Sequence, residues 1–177
     1  LFLGLDFMKG SVESFAKTIS LEQFPDYGLW FYLLVGTIFT ALMQASAATI
    51  AIVLTALNSG IITFDIGAVM VIGANIGTTI TVLLGALGGG QAKKRVSLSH
   101  LVFNVITGAV AFLGLPALVW IISSFVNISS RGLIGLALFH TLFNILGVVI
   151  FFPFLGLLPR MLIKFYPDHI IIITVYL

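Results

Sequence analysis

Four long apolar blocks, separated by short polar segments, divide most of the chain. Residues 27–64, 66–92, 96–130 and 132–159 contain no Asp, Glu, Lys or Arg. Each block is longer than the roughly 20 residues that a helix needs to cross the hydrocarbon core of a bilayer. The pattern therefore predicts an all-α integral membrane protein that crosses the cell membrane several times.

The first block has a length that fits neither one crossing helix nor two. Residues 27–58 would form a single helix of about 48 Å. The centre of the block, Met43-Gln-Ala-Ser-Ala-Ala-Thr49, is its most polar part. Non-helical backbone at membrane depth is tolerated only where it lines a cavity or is buried in protein. We therefore predict a re-entrant helical hairpin over residues 27–58, with its tip at residues 44–49.

The second block contains a run that weakens a helix. Gly73-Ala-Asn-Ile-Gly-Thr-Thr79 lies in the middle of residues 61–89, and each Gly lowers helix stability by about 1 kcal/mol relative to Ala. Interrupted apolar segments indicate transporter binding sites, so the run predicts a broken transmembrane helix over residues 61–89. Close helix packing at Gly73 and Gly77 is the alternative, because small residues four apart let two helices approach.

Two further spans are predicted at residues 98–126 and 132–152. They place Lys93-Lys-Arg95 on the same side of the membrane as Arg160 and Lys164, and such clusters mark the cytoplasmic side. With the hairpin and the broken helix, these spans make residues 1–166 one membrane domain, which the family resemblance described below implies to be a single transporter repeat. Residues 1–19 resemble the end of a membrane helix, so we expect the chain to be part of a longer one. Residues 167–177 receive no assignment.

Composition excludes several classes of function. The chain is 60% hydrophobic and 8% charged, with a net charge of +2, whereas nucleic-acid binding requires a clustered basic face. Without cysteine, the chain has no thiolate nucleophile and no sulfur-ligated metal. It also lacks the common hydrolase, metalloprotease and nucleotide-binding motifs. We expect no enzymatic activity, no cofactor and no nucleic-acid partner.

The two predicted interruptions carry polar groups that suit a small anion together with Na⁺. A helix that starts near Ser46 would expose N–H donors at the positive end of its dipole. A break near Gly73 would free a carbonyl oxygen for a hard cation such as Na⁺. The predicted substrate and ion ligands are Gln44, Ser46, Thr49, Gly73, Asn75, Gly77, Thr78 and Thr79. Na⁺ is expected near Gln44, Ser46, Gly73 and Asn75.

A short pattern recurs after forty residues. His100-Leu-Val-Phe-Asn104 returns as His140-Thr-Leu-Phe-Asn144, and residues at i and i+4 share one face of a helix. These side chains either form hydrogen bonds between packed helices or line a transport pathway. We do not expect a metal pair, because the two His lie on different helices and no carboxylate is near them in sequence.

Three motifs in this order resemble the sodium/phosphate cotransporter family. Gln44-Ala-Ser-Ala-Ala48 is similar to the family's Gln-Ser-Ser-Ser-Ala element, residues 73–79 match its Gly-Ala-Asn-Ile-Gly-Thr-Thr element, and residues 100–104 contain its Phe-Asn pair. The resemblance implies inverted repeats, re-entrant hairpins and Na⁺-coupled transport of inorganic phosphate. It also implies that Gln44, Ser46 and residues 75–79 lie at the site.

The partners implied by the resemblance are inorganic phosphate, Na⁺ and membrane lipid. One repeat cannot close a site at the membrane midplane by itself, so we also expect a second repeat or a second copy of the chain. Ala45 and Ala47 stand where the family has serine. The alternative function is therefore a non-transporting membrane module that keeps the fold but has lost ligand groups.

Overall fold

The computed structural model describes residues 27–167, together with the isolated positions Phe7 and Gly10. The predictions for the other residues of 1–26 and for residues 168–177 lie outside the described part. Within residues 27–167 the fold is all-helical, without a strand. The helices are α1 (Leu29–Met43), α2 (Ser46–Asn58), α3 (Phe64–Ala86), α4 (Gln91–Leu113), α5 (Leu115–Phe125), α6 (Ile128–Phe151) and α7 (Leu157–Phe165), with a 3₁₀ turn at Phe152–Phe154.

Three of the described segments are long and apolar enough to cross a membrane. They are Phe64–Ala86, Gln91–Leu113 and Ile128–Phe154, of 23, 23 and 27 residues. A helix of 23 residues covers about 34 Å, compared with a hydrocarbon core of about 30 Å. Helices α1 and α2, with 15 and 13 residues, cover only about 22 and 20 Å.

The chain reverses its direction between α1 and α2. Gln44 has left-handed backbone angles (φ 53°, ψ 26°) and Ala45 is extended. The hydroxyl of Thr40 donates to the hydroxyl oxygen of Thr49 over 2.8 Å. In one continuous helix these two residues would lie about 13.5 Å apart along the axis. The two short helices therefore run antiparallel, and the reversal falls within the segment that the sequence predicts as the tip.

Helix α3 is continuous where the sequence predicts a break. All of residues 73–79 are helical, so the prediction of a broken helix over residues 61–89 is wrong. The reason lies in α1: a Cβ on Gly73 would clash with the carbonyl oxygen of Leu33, and one on Gly77 would lie 2.5 Å from that of Thr37. The glycines let the two backbones approach closely, and this packing outweighs the low helix propensity of Gly.

Helix α3 is the centre of the bundle, and α1, α2, α4 and α6 all pack against it. Helix α1 runs parallel to α3, because Gly36 faces Met70 while Thr40 faces Gly77 further along both helices. The short connection at residues 59–63 returns the chain from α2 to α3, which are therefore antiparallel. The open end of the α1–α2 pair consequently lies beside the N-terminus of α3.

The predicted span 98–126 is divided into two helices. Helix α4 ends at Leu113, Gly114 has non-helical angles, and α5 begins at Leu115 with Pro116 in its first turn. Because Pro lacks an N–H and is accommodated in the first turn of a helix, it favours a new helix start over continuation of α4. The prediction of one uninterrupted span is therefore wrong.

Helix α6 covers residues 132–151 of the predicted span 132–152 and begins slightly earlier, at Ile128. Arg131 has non-helical angles (φ −135°, ψ 41°) and marks a kink near the start of α6. Phe103 of α4 stacks on Phe151 with ring centroids 4.9 Å apart, and Thr107 contacts Gly147. Helices α4 and α6 are therefore antiparallel.

Candidate functional site

The reversal between α1 and α2 leaves a helix N-terminus without a cap. Ala45 precedes α2, and its side chain forms no capping hydrogen bond. The N–H of Thr49 donates to the carbonyl of Ala45 over 3.2 Å, so the N–H groups of residues 46–48 have no intrahelical acceptor. These donors and the positive end of the helix dipole can hold a small anion without a cationic side chain.

The tip lies level with the interior of α3 rather than with its end. Because α1 and α3 are parallel and Thr40 faces Gly77, Gln44 lies level with Thr81, one helical turn further along both helices. Helix α3 continues to Ala86, which is about 7.5 Å beyond Thr81 along the axis. The uncapped donors therefore lie within the length of a helix that can span a membrane.

Thr81 adds a hydroxyl at the level of the tip. It follows Gly77 by four residues, so it lies on the same side of α3, which faces α1. Its Oγ1 is buried and has no hydrogen-bond partner within the described part of the chain. Thr81 is not among the site residues predicted from the sequence, although its i+4 spacing from Gly77 is a signal that identifies its side of the helix.

The polar residues of the 73–79 run have other local roles. The hydroxyl of Thr78 donates to the carbonyl of Asn75 over 2.6 Å, and that of Thr79 to the carbonyl of Ile76 over 2.7 Å. Each hydroxyl uses its proton within α3 and keeps only acceptor capacity. Asn75 lies about 200° around α3 from Gly73, so it faces away from α1. Its Nδ2 is buried and unpartnered among the described residues.

The structure thus does not bring all of the predicted site residues together. Gln44 and Ser46 lie together at the tip, whereas Thr49 pairs with Thr40 inside the hairpin. Gly73 and Gly77 form the close contact with α1. Because α3 is continuous, the carbonyl of Gly73 lies within the regular hydrogen-bond ladder of the helix. The prediction that a break frees this carbonyl for Na⁺ is wrong.

The repeated His and Asn residues form hydrogen bonds within their own helices. Nδ2 of Asn104 donates to the carbonyl of His100 over 2.9 Å, and Nδ2 of Asn144 donates to that of His140 over 2.7 Å. Within the described residues, neither amide forms a hydrogen bond to another helix. From the antiparallel register of α4 and α6, the two His lie about 21 Å apart along the bundle.

Comparison with known proteins identifies relatives of this chain. The sequence profile of the Na⁺/Pi-cotransporter family matches residues 1–148. The chain is 34% identical over 133 residues to the Uncharacterized protein YqeW of Bacillus subtilis (strain 168), which covers 75% of the chain and 42% of YqeW. It is 25% identical over 127 residues to the Putative inorganic phosphate export protein YjbB of Escherichia coli (strain K12), which covers 72% of the chain and 23% of YjbB.

The match to a mammalian relative covers a smaller share of both proteins. The chain is 29% identical over 117 residues to the Sodium-dependent phosphate transport protein 2A of Mus musculus, covering 62% of the chain and 18% of that protein. The chain therefore spans less than half the length of each of these relatives, and no solved structure matches it significantly. The family match includes the tip, α3, α4 and most of α6. The chain is a membrane protein that belongs to the Na⁺/Pi-cotransporter family.

Proposed function

We propose that this chain is one repeat of a Na⁺-coupled phosphate transporter, and that the tip between α1 and α2 binds the ion and the substrate. The observation that carries the proposal is the uncapped start of α2 next to Gln44, level with the interior of α3. Family membership supports phosphate as the substrate, because relatives carry the names Putative inorganic phosphate export protein and Sodium-dependent phosphate transport protein 2A.

We propose further that α1 and α2 form a re-entrant hairpin. Each helix is shorter than the hydrocarbon core of about 30 Å, and both open ends lie beside the N-terminus of α3. Asp65 in the first turn of α3 suits the water interface, because an acidic side chain there complements the helix dipole. Unpaired N–H groups at the tip would be costly in lipid. Water or a ligand must therefore reach the tip.

The basic residues give the orientation of this hairpin. Nη1 of Arg95 donates to the carbonyl of Tyr166 over 3.0 Å, which brings the start of α4 and the end of α7 to one end of the bundle. This end carries five of the eight Lys and Arg residues of the chain, and the positive-inside rule assigns it to the cytoplasm. The hairpin then enters from the opposite side, and its tip points toward the cytoplasm.

The tip can hold a cation and an anion side by side. The C-terminal end of α1 presents carbonyl oxygens and the negative end of its dipole, while the start of α2 presents N–H donors and the positive end. We place Na⁺ at the carbonyls of residues 41–43 with the amide oxygen of Gln44. Phosphate lies at the N–H groups of residues 46–48, with the hydroxyls of Ser46 and Thr81. In this arrangement the carbonyls at the end of α1 bind Na⁺, in place of the Gly73 carbonyl that is predicted from the sequence.

The rest of the site comes from a second repeat. Buried Nδ2 of Asn75 is unpartnered within the described residues, and it lies on a side of α3 that faces away from α1. The chain also spans less than half of its relatives. We propose that the partner repeat brings its own tip to the Asn75 side of α3.

Two substitutions at one position test the role of the N–H donors. Ser46 is the first residue of α2 and follows an extended residue, so Pro is accommodated there. Ser46→Pro removes the N–H and the hydroxyl, whereas Ser46→Ala removes only the hydroxyl. A hydrogen bond to a charged group contributes about 1.5–3 kcal/mol, so Ser46→Pro is expected to bind phosphate at least about tenfold more weakly than Ser46→Ala.

The assay is uptake of labelled phosphate by the full-length protein in proteoliposomes, with and without a Na⁺ gradient. The wild type and the exposed-site control Ser124→Ala are expected to take up phosphate only with the gradient. If Ser46→Pro and Ser46→Ala weakened phosphate binding and uptake equally, the N–H group of residue 46 would not contribute to phosphate binding. A folded wild type without Na⁺-dependent uptake would favour the alternative, a module that has lost transport.

A further inference from the structure

Helix α7 carries three distinct faces on nine residues. Leu162 is buried against the bundle, with 4% of its surface exposed. An apolar stripe with residues four apart is exposed on a second face: Leu157, Met161 and Phe165. Arg160 and Lys164, also four apart and exposed, form a third face beside this stripe. A helix with a docking face, an exposed apolar stripe and an exposed cationic stripe is typical of the membrane interface.

Helix α7 is held against the start of α4. The two helices are in contact, and the guanidinium of Arg95 binds the carbonyl of Tyr166, one residue after the end of α7. This contact brings the cations of α7 to the same end as Lys93 and Lys94. Asp65 is the single acidic residue in the sequence from 27 to 167, and it lies at the start of α3, at the opposite end of the bundle. No acid from this range therefore neutralises the cluster.

We propose that α7 and the first turn of α4 form a binding surface for anionic phospholipids. The apolar stripe of α7 inserts among the acyl chains, and Arg160 and Lys164, with Lys93 and Lys94, contact the headgroup phosphates. Clusters of four to eight basic residues beside a transmembrane helix attract anionic lipids in this way. A free phosphate ion would use the cations but not the exposed Met161 and Phe165, so the apolar stripe favours a lipid.

Direct lipid binding by the full-length protein tests this surface. The delipidated protein in detergent is titrated separately with phosphatidylglycerol, phosphatidylcholine and inorganic phosphate, and native mass spectrometry resolves the bound species by mass. The wild type is expected to bind phosphatidylglycerol about 600-fold more tightly than phosphatidylcholine, because each of the four cations contributes about a fivefold factor.

Variants locate the binding to this end of the bundle. Arg160→Gln combined with Lys164→Gln is expected to weaken phosphatidylglycerol binding by about 25-fold, and so is Lys93→Gln combined with Lys94→Gln. Arg131→Gln is the matched control, because Arg131 is an exposed cation at the other end, and it is expected to change nothing. Equal binding of both lipids, an equal loss of phosphatidylglycerol binding in the control, or binding of inorganic phosphate that the same double substitutions abolish would overturn the proposal.

Discussion

The contact between α1 and α3 predicts opposite effects for the same substitution at two glycines of α3. At Gly73 an added Cβ would clash with the carbonyl oxygen of Leu33 and would lie 2.9 Å from the backbone nitrogen of Thr37. At Gly85 an added Cβ meets nothing within 4 Å. Both positions lie within the same helix, so Gly85→Ala is a matched control for Gly73→Ala.

The two free-energy contributions can be separated. Replacing Gly by Ala inside a helix stabilises it by about 1 kcal/mol, and this gain applies at both positions. Overpacking a tight contact costs about 1–3 kcal/mol, and we expect the upper end at Gly73 because the obstructing atoms are backbone. Gly73→Ala should therefore lower the free energy of unfolding by about 2 kcal/mol, while Gly85→Ala raises it by up to about 1 kcal/mol.

Unfolding in mixed micelles of a mild detergent and dodecyl sulfate, followed by far-ultraviolet circular dichroism, measures both variants. The expected difference between them is about 3 kcal/mol. If residues 73–79 formed a break, Ala at Gly73 would not meet the backbone of α1. Equal stability of the Gly73→Ala and Gly85→Ala proteins would therefore refute the close contact and the continuous α3 that depends on it.

Three further predictions concern the tip and its surroundings. In a double-mutant cycle, Thr40→Val and Thr49→Val should show a coupling energy of about 0.6–1.7 kcal/mol. The same unfolding assay measures this energy, and a coupling of zero would contradict the hydrogen bond between the two hydroxyls. Because Asn75 faces the proposed partner repeat, Asn75→Ala in the full-length protein should weaken phosphate and Na⁺ together at the site that the partner's tip completes, and linked sites couple by about 1–3 kcal/mol. Calorimetric titration of the variant and the wild type at several Na⁺ concentrations tests this, and an unchanged phosphate affinity in Asn75→Ala would contradict it. Ala45→Ser should stabilise the protein by about 1 kcal/mol as an N-cap in the same unfolding assay. The first-turn control Ala47→Ser should not stabilise it, and equal stability of the two variants would contradict the uncapped start of α2.

The position of the chain reversal could be predicted because two independent signals agree there. The length of residues 27–58 excludes one comfortable span, and the polar centre of the block is its Gln44 region. Both signals are local properties of the sequence. That the ends of the hairpin lie together follows from the short helices and the Thr40–Thr49 contact, which only the structure provides.

The state of residues 73–79 could not be decided from the sequence. Gly73 and Gly77 weaken an isolated helix and also permit close packing of two helices. The same two residues therefore predict either a broken helix or a continuous, closely packed one. The deciding residues lie on another helix, since the backbone at Leu33 and Thr37 occupies the space that a side chain would fill. Helix propensity depends on residues 73–79 alone, whereas this packing depends on both α1 and α3.

The sequence contains a signal for the end of α4 that the apolar pattern alone does not show. Pro116 lies inside the predicted span 98–126, and Pro in a helix interior removes a hydrogen bond and clashes with the preceding turn. The preceding Gly114 provides the non-helical residue between α4 and α5. An unbroken apolar run indicates that its residues are embedded in the membrane. It does not show where one helix ends and the next begins.

The contact between α1 and α3 also bears on how the tip could work. The close approach of Gly36 and Gly73 to the opposing backbones fixes the position of α1 along α3, and it thereby sets the level of Gln44. The negative end of α1 and the positive end of α2 meet at one reversal, so their spacing does not depend on α3. We therefore expect Na⁺ and phosphate to stabilise each other by direct electrostatic attraction within an intact tip. For the proposed transport function, we propose that the hairpin and α3 move together against the proposed partner repeat, because a continuous α3 offers no hinge at residues 73–79.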